Sequence, residues 1–239
     1  MKKAIIIGAS SGIGRAIAKI LSSEGYILGL AARRTELLTR LQNELATQSY
    51  IKYIDISVQD KSIKGLSDLI DEMSGVDMII ITSGNGFINP SLDWEKEKST
   101  IDVNVSGVTA MINTAIKHFY EKGYGQLVVI SSVAALRGSG GAPAYNATKA
   151  YLTNYLEGIR CRIKKDNKNI SVTDIRPGLV DTDMAKGEGL FWVQPVDKAA
   201  GQIYAKIKKK KKVAYVTKRW GIIAFILKHI PERLLYKME

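Results

Sequence analysis

Lys3-Ala-Ile-Ile-Ile7 is followed directly by Gly8-Ala-Ser-Ser-Gly12-Ile-Gly14, and this segment carries the first evidence for the fold of the 239-residue chain. The apolar run predicts a buried strand, and the apolar spacing of Ile13–Glu24 predicts an amphipathic helix behind the loop. Glycines at these positions permit a tight turn and let a phosphate group approach the backbone. The N–H groups at the start of the helix, with the hydroxyls of Ser10 and Ser11, favour a pyrophosphate. A plain strand–helix turn is the alternative, and the order of strand, glycines and helix argues against it.

The alternation of strand and helix continues along the chain. Short apolar runs rich in Ile, Val and Tyr are bounded by Gly, Asp, Ser or Pro, which is typical of buried strands. Amphipathic stretches such as Glu36–Leu45 lie between them. The pattern predicts a single α/β domain, residues 1–239, with a doubly wound seven-stranded parallel sheet and helices on both faces. The predicted strands are Lys3–Ile7, Tyr26–Ala31, Tyr50–Ile54, Met78–Thr82, Gln126–Ser131, Ile170–Ile175 and Val213–Val216.

Composition narrows the class of protein. With 46% apolar residues the chain can bury a large core. No apolar stretch approaches the roughly 20 residues that a membrane span requires. The single Cys161 excludes an internal disulfide framework and, with no signal-peptide pattern, favours a cytoplasmic location. The two histidines, His118 and His229, are far apart, so we expect no metal site.

The formal net charge of +12 has a local origin. Much of it comes from Lys206 and from Lys208–Lys212, and such a run is more often a solvated surface than a binding site. No aromatic residues interleave the run, as a platform for single-stranded nucleic acid would require. We therefore expect no nucleic-acid partner. Attraction to an anionic cofactor or membrane surface explains the sign of the charge equally well.

Tyr145 and Lys149, in Ala144-Tyr-Asn-Ala-Thr-Lys149, form a pattern that concerns chemistry. A spacing of four residues on a helix places both side chains on one face. The ammonium favours the phenolate and so lowers the pKa of the phenol, which suits proton transfer to or from an alcohol or carbonyl oxygen. Tyr151 and Tyr155 follow on the same helix, but neither has a lysine four residues later. Alone, such a pair is more often a half-buried aromatic ring beside a solvated base.

Five motifs in order resemble those of the short-chain dehydrogenase/reductase family, which has a Rossmann fold, over about the first 185 residues. The glycine loop and the Tyr145–Lys149 pair are joined by Asp102-Val-Asn104 and by Ser132, thirteen residues before Tyr145. Arg176-Pro-Gly178, with Val180-Asp-Thr182 after it, completes the set. The resemblance implies hydride transfer between a nicotinamide cofactor and a carbonyl or alcohol substrate.

The resemblance also assigns roles to individual residues. Tyr145 would be the general acid and base, and Lys149 would lower its pKa and hold the nicotinamide ribose. Ser132 would donate a hydrogen bond to the substrate oxygen, and Asn104 would hold a water that links Lys149 to solvent. The catalytic residues are therefore Asn104, Ser132, Tyr145 and Lys149. The implied cofactor-binding residues are Gly8, Ser10, Ser11, Gly12, Ile13, Gly14, Arg33, Arg34, Asp55, Ile56, Ser83, Gly84, Asn104, Tyr145, Lys149, Pro177, Gly178, Val180 and Thr182.

One motif departs from the family pattern. The family usually has Asn-Ala-Gly after the fourth strand, whereas this chain has Thr82-Ser83-Gly84. Thr82 can still form a hydrogen bond that supports the sheet. We therefore expect the departure to affect stability more than chemistry.

The end of the second strand indicates which nicotinamide cofactor is used. By the resemblance, Ala32 stands where an acidic residue would hold a free ribose 2′-hydroxyl. Arg33 and Arg34 follow, and guanidinium groups suit the charge of a 2′-phosphate. The alternative is that both arginines face solvent at the start of the next helix. The sequence favours NADP(H) over NAD(H).

Two segments near the C-terminus are less informative. Residues 183–195 fall where the family places its substrate lid, and their apolar residues favour either an apolar substrate or packing on the core. Residues 219–239 contain the apolar run Trp220–Ile230, which is similar to the C-terminus of the hydroxysteroid-dehydrogenase-like branch. The run could pack in a homodimer or homotetramer, cover the substrate mouth, or contact an anionic membrane surface. We rank soluble packing or dimerisation first and membrane contact second.

Together these patterns predict an NADP(H)-dependent oxidoreductase that acts on a small carbonyl or secondary alcohol substrate. The alternative is a non-catalytic dinucleotide-binding regulatory protein on the same fold. The full set of Asn104, Ser132, Tyr145 and Lys149 argues against that alternative, because a sensor has no need of it. Fold alone would not separate the two.

Overall fold

The computed structural model describes residues 1–183 and 192–235. The strands of the described residues form one parallel sheet in the order β3-β2-β1-β4-β5-β6-β7. The predicted fold class is therefore confirmed. The strands are β1 (Lys3–Ile7), β2 (Ile27–Ala32), β3 (Ser49–Tyr53), β4 (Met78–Ile81), β5 (Tyr124–Ile130), β6 (Asn169–Pro177) and β7 (Val213–Val216).

Helices cover both faces of the sheet. In the described residues they are α1 (Gly12–Ser23), α2 (Thr35–Gln42), α3 (Gln59–Glu72), α4 (Trp94–Ile101), α5 (Val108–Lys122), α6 (Pro143–Lys165), α7 (Val196–Lys208), α8 (Lys218–His229) and α9 (Glu232–Leu235). A π-helical turn, Asp102–Gly107, joins α4 to α5, and a 3₁₀ turn, Val133–Leu136, follows β5. Helices α1, α2 and α7 contribute to one hydrophobic core, and α3, α5 and α6 contribute to the other.

Residues of β1 alternate between the two cores. Ala4 and Ile6 belong to the core beneath α1, whereas Ile5 and Ile7 belong to the core beneath α5. Because both faces of a parallel strand are covered, the strand reads as an unbroken apolar run and not as an alternating one.

The strand order reverses beside β1, and this reversal positions the site. The chain passes from β1 outwards to β2 and β3 and then returns to β4 on the other side of β1. Loops at the carboxyl ends of the strands separate at such a point and leave a crevice in which ligands bind. The loops that follow β1 and β4 meet there, where the Thr82 N–H donates to the carbonyl of Ile7 at 2.8 Å.

Strand β6 is longer than the sequence predicts. It continues to Pro177 because Asp174–Pro177 pair with Val213–Val216 of β7. Asp174 lies within the predicted strand, and Arg176, directly after Ile175, ended the run that defined it.

The predicted lid, residues 183–195, lies mostly outside the described residues, but the chain that flanks it is described. Val180 and Gln194 form an isolated parallel bridge. The Asp181 N–H donates to the Gln194 carbonyl at 2.9 Å, and the Gln194 N–H donates to the Leu179 carbonyl at 3.0 Å. The two ends of the segment therefore meet beside the end of β6.

Candidate active site

A cavity of about 840 Å³ lies at the carboxyl ends of the strands. Its volume is in the range of cofactor and small-molecule sites. Every predicted catalytic and cofactor-binding residue except Asn104 lines it. The fold thus brings together loops that are separated by more than half the chain.

Glycines hold the first loop against β4. Gly8 has a φ of 97°, in the left-handed region that favours glycine. A Cβ atom on Gly14 would lie 2.6 Å from the Thr82 hydroxyl oxygen and closer still to the Gly8 carbonyl oxygen. Helix α1 begins at Gly12, and the side chain of its N-cap, Ser11, does not cap it. The N–H groups of the first turn therefore point at the cavity without a capping side chain, as anion binding requires.

Thr82 ties the end of β4 to the glycine loop. Its hydroxyl donates to the carbonyls of Ile7 and Gly8 at 3.0 and 3.1 Å. The hydrogen bond expected at this departure from the family pattern is present, and it joins the Thr82 side chain to the backbone of the glycine loop. The contact supports the sheet end on which the loop rests.

Two arginines face the cavity from the end of β2. Arg33 and Arg34 are both exposed, and Arg34 Nη2 donates to the hydroxyls of Ser11 and Ser10 at 2.7 and 3.2 Å. Within residues 1–183 and 192–235, neither has a carboxylate at ion-pair distance. Ala32, which precedes them, is buried and offers no carboxylate. The positive charge at this end of the cavity is available to an anion.

Asp55 and Ile56 line the cavity after β3. The N–H and hydroxyl of Ser57 donate to Asp55 Oδ1 at 3.0 and 2.7 Å. This local turn holds the carboxylate at the strand end.

Tyr145 lies in the first turn of α6, which begins at Pro143, a residue suited to the first helical position. Its ring packs on Gly86, where a Cβ atom would lie 3.0 Å from Tyr145 Cε2. Burial raises the pKa of Tyr145, and a hydrogen bond with Ser132 acts in the opposite direction. The sequence argument that the pKa of this phenol is lowered is therefore wrong for the protein alone, because burial outweighs the other effects.

Lys149 is buried one helical turn after Tyr145, with 4% of its surface exposed. Its ammonium lies 5.5 Å from the centroid of the Tyr145 ring and donates to the Ile130 carbonyl at 3.5 Å. Burial lowers the pKa of Lys149 to about 8, and the charge of Asp174 partly offsets this shift. Below pH 8 the ammonium form predominates.

Asn104 does not reach the cavity. Its side chain is fully buried in the π-helical turn, and Nδ2 donates to the Asn85 carbonyl and to Thr148 Oγ1 at 2.8 and 3.1 Å. Its Oδ1 accepts from the Asn85 N–H at 2.9 Å. Sequence reasoning placed Asn104 among the cofactor-contacting residues, whereas the structure places it behind the cavity wall. It fixes the loop after β4 to the helix that carries Tyr145 and Lys149.

A buried ionic network that sequence reasoning missed lies behind Lys149. Arg176 Nε donates to Asp174 Oδ2 at 2.8 Å, and the carboxylate is fully buried. Thr153, one turn after Lys149, donates to Asp174 at 3.3 Å, and Ser131, beside Ser132, donates to its other oxygen. The network connects β5, β6 and α6 directly beneath the candidate catalytic groups. Its signal in the sequence was a charged residue within a predicted strand, Asp174, and another directly after the end of that strand, Arg176.

Helix α8 closes one side of the cavity. Trp220 is buried against Gly178, and both Trp220 and Leu227 line the cavity. The opposite side of the helix exposes Ile222, Phe225 and Ile226. One side of the apolar run therefore lines the cavity. No helix within residues 1–183 and 192–235 is long and apolar enough to cross a membrane.

The chain belongs to the short-chain dehydrogenase family, whose pattern matches residues 2–190. An uncharacterized oxidoreductase of Mycobacterium tuberculosis is 33% identical over 210 residues, which cover 84% of this chain and 81% of that protein. An uncharacterized oxidoreductase of Myxococcus xanthus is 31% identical over 188 residues, 77% of this chain and 74% of that protein. The predicted family is therefore confirmed, and the chain is an oxidoreductase of that family.

Solved structures share the fold. An alcohol dehydrogenase of Thermococcus sibiricus, complexed with 5-hydroxy-NADP, superposes with a TM-score of 0.79 at 25% identity, covering 90% of this chain and 95% of that one. A short-chain dehydrogenase of Sphingobium yanoikuyae, in complex with NADPH, has a TM-score of 0.80 at 22% identity and covers 97% of both chains. The second likeness concerns the fold alone.

Proposed function

We propose that this protein transfers a hydride between NADP(H) and a carbonyl or secondary alcohol group. The observation that carries the proposal is the convergence of the glycine loop with Ser132, Tyr145 and Lys149 on one cavity. A purely structural role does not explain why a serine, a phenol and a buried ammonium all face the same space.

The residues present fit a nicotinamide dinucleotide. The glycine loop would bind the pyrophosphate at the start of α1. Asp55 and Ile56, after β3, would contact the adenine of the cofactor, as the family resemblance implies. Arg33 and Arg34 would hold a 2′-phosphate, since no carboxylate among the described residues neutralises their charge. The Thermococcus sibiricus enzyme, which was complexed with an NADP derivative, supports the same preference.

In the proposed reaction, the bound nicotinamide would supply or accept the hydride. Ser132 and Tyr145 line the same cavity, so both can reach one substrate oxygen. During reduction Tyr145 would give its proton to that oxygen while Ser132 donates a hydrogen bond to it. Lys149 would stabilise the phenolate that remains. Asn104 would act as a positioning residue, through Asn85 and Thr148.

We propose an apolar substrate body, with residues 183–195 as its lid within one domain. Val133, Leu179, Trp220 and Leu227 line the cavity near the 3₁₀ turn and α8. For the exposed side of α8 we propose contact with a second copy of the chain, in a homodimer or homotetramer, ahead of contact with a membrane surface. Liposome flotation with and without residues 219–239 separates these two contacts.

The test is an NADPH-oxidation screen over a panel of aldehydes and ketones, repeated with Tyr145→Phe. We expect turnover to fall by about 10²- to 10⁴-fold, the contribution typical of a general acid, with NADPH binding nearly unchanged. Tyr151→Phe is the matched control, because this phenol lies on the same helix and is hydrogen-bonded to the hydroxyl of Thr109, away from the cavity. Full activity of Tyr145→Phe excludes the mechanism, and NADPH binding without turnover of any carbonyl favours the regulatory alternative.

A further inference from the structure

Arg137 is a charged side chain of the cavity wall for which neither the fold nor the proposed chemistry provides a role. It follows the 3₁₀ turn Val133–Leu136, five residues after Ser132. The residue lines the cavity and is half-buried. It lies on the side of the cavity that holds Ser132, because both residues follow β5. The glycine loop follows β1, and Arg33 and Arg34 follow β2.

The backbone of Arg137 is fixed next to the candidate acid. Asn146, the residue after Tyr145, donates from Nδ2 to the Arg137 carbonyl at 2.8 Å. The loop after β5 is thereby attached to the first turn of α6. A side chain that starts from this position has its origin held relative to Tyr145, as a substrate-orienting group requires.

Within the described part of the chain, the guanidinium of Arg137 has no neutralising carboxylate at ion-pair distance. Asp183 also lines the cavity but is exposed. A half-buried arginine ordinarily has an anionic or hydrogen-bonding partner, because its five N–H donors are costly to leave unpaired.

Much of the wall around Arg137 is apolar, although Ser139, Asn146 and Asp183 also line it. Val133, Ala134, Leu179 and Leu227 line the cavity with Arg137, and Trp220 closes it. The Arg137 guanidinium beside these apolar residues is complementary to a molecule with an apolar body and one negative charge. The planar fork of a guanidinium matches a carboxylate in a bidentate geometry.

We infer that the substrate is an amphipathic carbonyl compound with an anionic group, a carboxylate above all, and that Arg137 is the residue that binds this group. The inference rests on the proposed carbonyl reduction and names the substrate class of that site. Binding of the anion orients the carbonyl carbon at Tyr145, so the interaction increases kcat/KM for the charged substrate and leaves a neutral analogue unaffected.

The test compares fatty acids that carry a methyl-ketone group, in a series of increasing chain length, with the methyl esters of the same acids. Reduction of each compound is followed by the oxidation of NADPH. For wild-type protein we expect the acids to be reduced with the higher kcat/KM. In Arg137→Gln the acid-to-ester ratio falls about 10- to 100-fold, the range expected when a charge-assisted hydrogen bond is lost. Arg137→Lys, which keeps the charge without the fork, gives an intermediate ratio. Because each ratio is taken within one preparation, a smaller folded fraction cancels.

Arg40→Gln is the matched control, since it removes the same charge from the exposed surface of α2 and leaves the cavity unchanged. An acid-to-ester ratio that Arg137→Gln leaves unchanged, or that Arg40→Gln lowers equally, overturns the inference while carbonyl reduction stands. A rise in KM for NADPH in Arg137→Gln that equals the rise for the acid also overturns it, because Arg137 would then contact the nucleotide. Failure of both acids and esters to be reduced is instead evidence against the proposed function.

Discussion

The two ends of the cavity differ in what holds them in place. At the nucleotide end, which the glycine loop and Arg33 line, the close contacts are between backbone atoms. A Cβ atom on Gly14, for example, would meet the Gly8 carbonyl. At the reacting end they join backbone to rings: a Cβ atom on Gly86 would meet Tyr145, and one on Gly178 would meet Trp220. Backbone atoms of this loop and of α1 are held by hydrogen bonds and cannot rotate away from a methyl group, whereas a ring can change rotamer. The nucleotide end is therefore a fixed frame, and the reacting end can adjust.

The largest expected effect concerns the ionic network beneath the reacting end. Asp174→Asn leaves the Arg176 guanidinium buried without its carboxylate, and breaking such a pair costs about 3–5 kcal/mol of the free energy of unfolding. We expect the midpoint of thermal unfolding to fall by roughly 6–20 °C for a chain of this size. Asp71→Asn, an exposed position on α3, serves as the control. An unchanged midpoint would show that the network is not a structural support.

The same variant changes the pH dependence of the reaction. Lys149 has a pKa of about 8, depressed from its ordinary value, so its charge is present below pH 8 and is lost as the pH rises through that value. We expect kcat/KM for NADPH, which reports the free enzyme, to fall about tenfold per pH unit above that point. Since the Asp174 charge raises this pKa, Asp174→Asn moves the fall to lower pH.

The free energy of unfolding depends on pH in the opposite direction to kcat/KM. At pH values between the pKa of Lys149 in the folded protein and its higher pKa in the unfolded chain, only the unfolded chain is protonated at Lys149. The contribution of Lys149 to the free energy of unfolding therefore increases with pH in this range. A pH profile without a descending limb below pH 10 would contradict the assigned burial of Lys149.

The comparison itself is tested by two alanine substitutions. Gly14→Ala forces a methyl group against backbone and the Thr82 hydroxyl, for which we expect a loss of about 1–3 kcal/mol and weaker NADPH binding. Gly178→Ala forces it against the Trp220 indole, which can rotate, so we expect a smaller stability loss and a larger change in KM for the carbonyl substrate. Thermal unfolding and the two KM values measure the difference. Equal stability losses would remove the distinction between the two ends.

A smaller effect is expected at the end of β2. Arg33→Ala should raise KM for NADPH about tenfold and leave KM for NADH nearly unchanged, because the guanidinium would contact only the 2′-phosphate. Arg34→Ala should raise both values, since Arg34 also binds the hydroxyls of Ser10 and Ser11 in the glycine loop. Steady-state kinetics with both cofactors decides the matter. Equal effects of Arg33→Ala on both would refute the preference for NADP(H).

The sequence was informative where a function depends on local order along the chain. The seven strands, the glycine loop and the Tyr145–Lys149 spacing are each visible in a short window, and the structure places them as expected. Contacts between distant segments were not visible in the same way. Asn104 stands behind the wall because it pairs with Asn85, and Trp220 of α8 packs against Gly178, which follows β6.

The pKa of Tyr145 shows why site chemistry is harder to predict than site membership. A pattern of residues identifies which charges are near, but the pKa depends on how much water the fold excludes. Burial raises the pKa of Tyr145 and lowers that of Lys149, and neither shift can be inferred from the four-residue spacing.

The Val180–Gln194 bridge has a consequence for how this protein could acquire new substrates. Because the bridge joins the two flanks to each other, the residues between them can be exchanged or lengthened at an entropic cost that grows only slowly with length. Exchange of this insert would leave β6, Gly178 and α7 in their present positions. The scaffold is therefore suited to divergence by replacement of one segment, and chimaeric proteins that differ only there are a natural way to alter substrate preference.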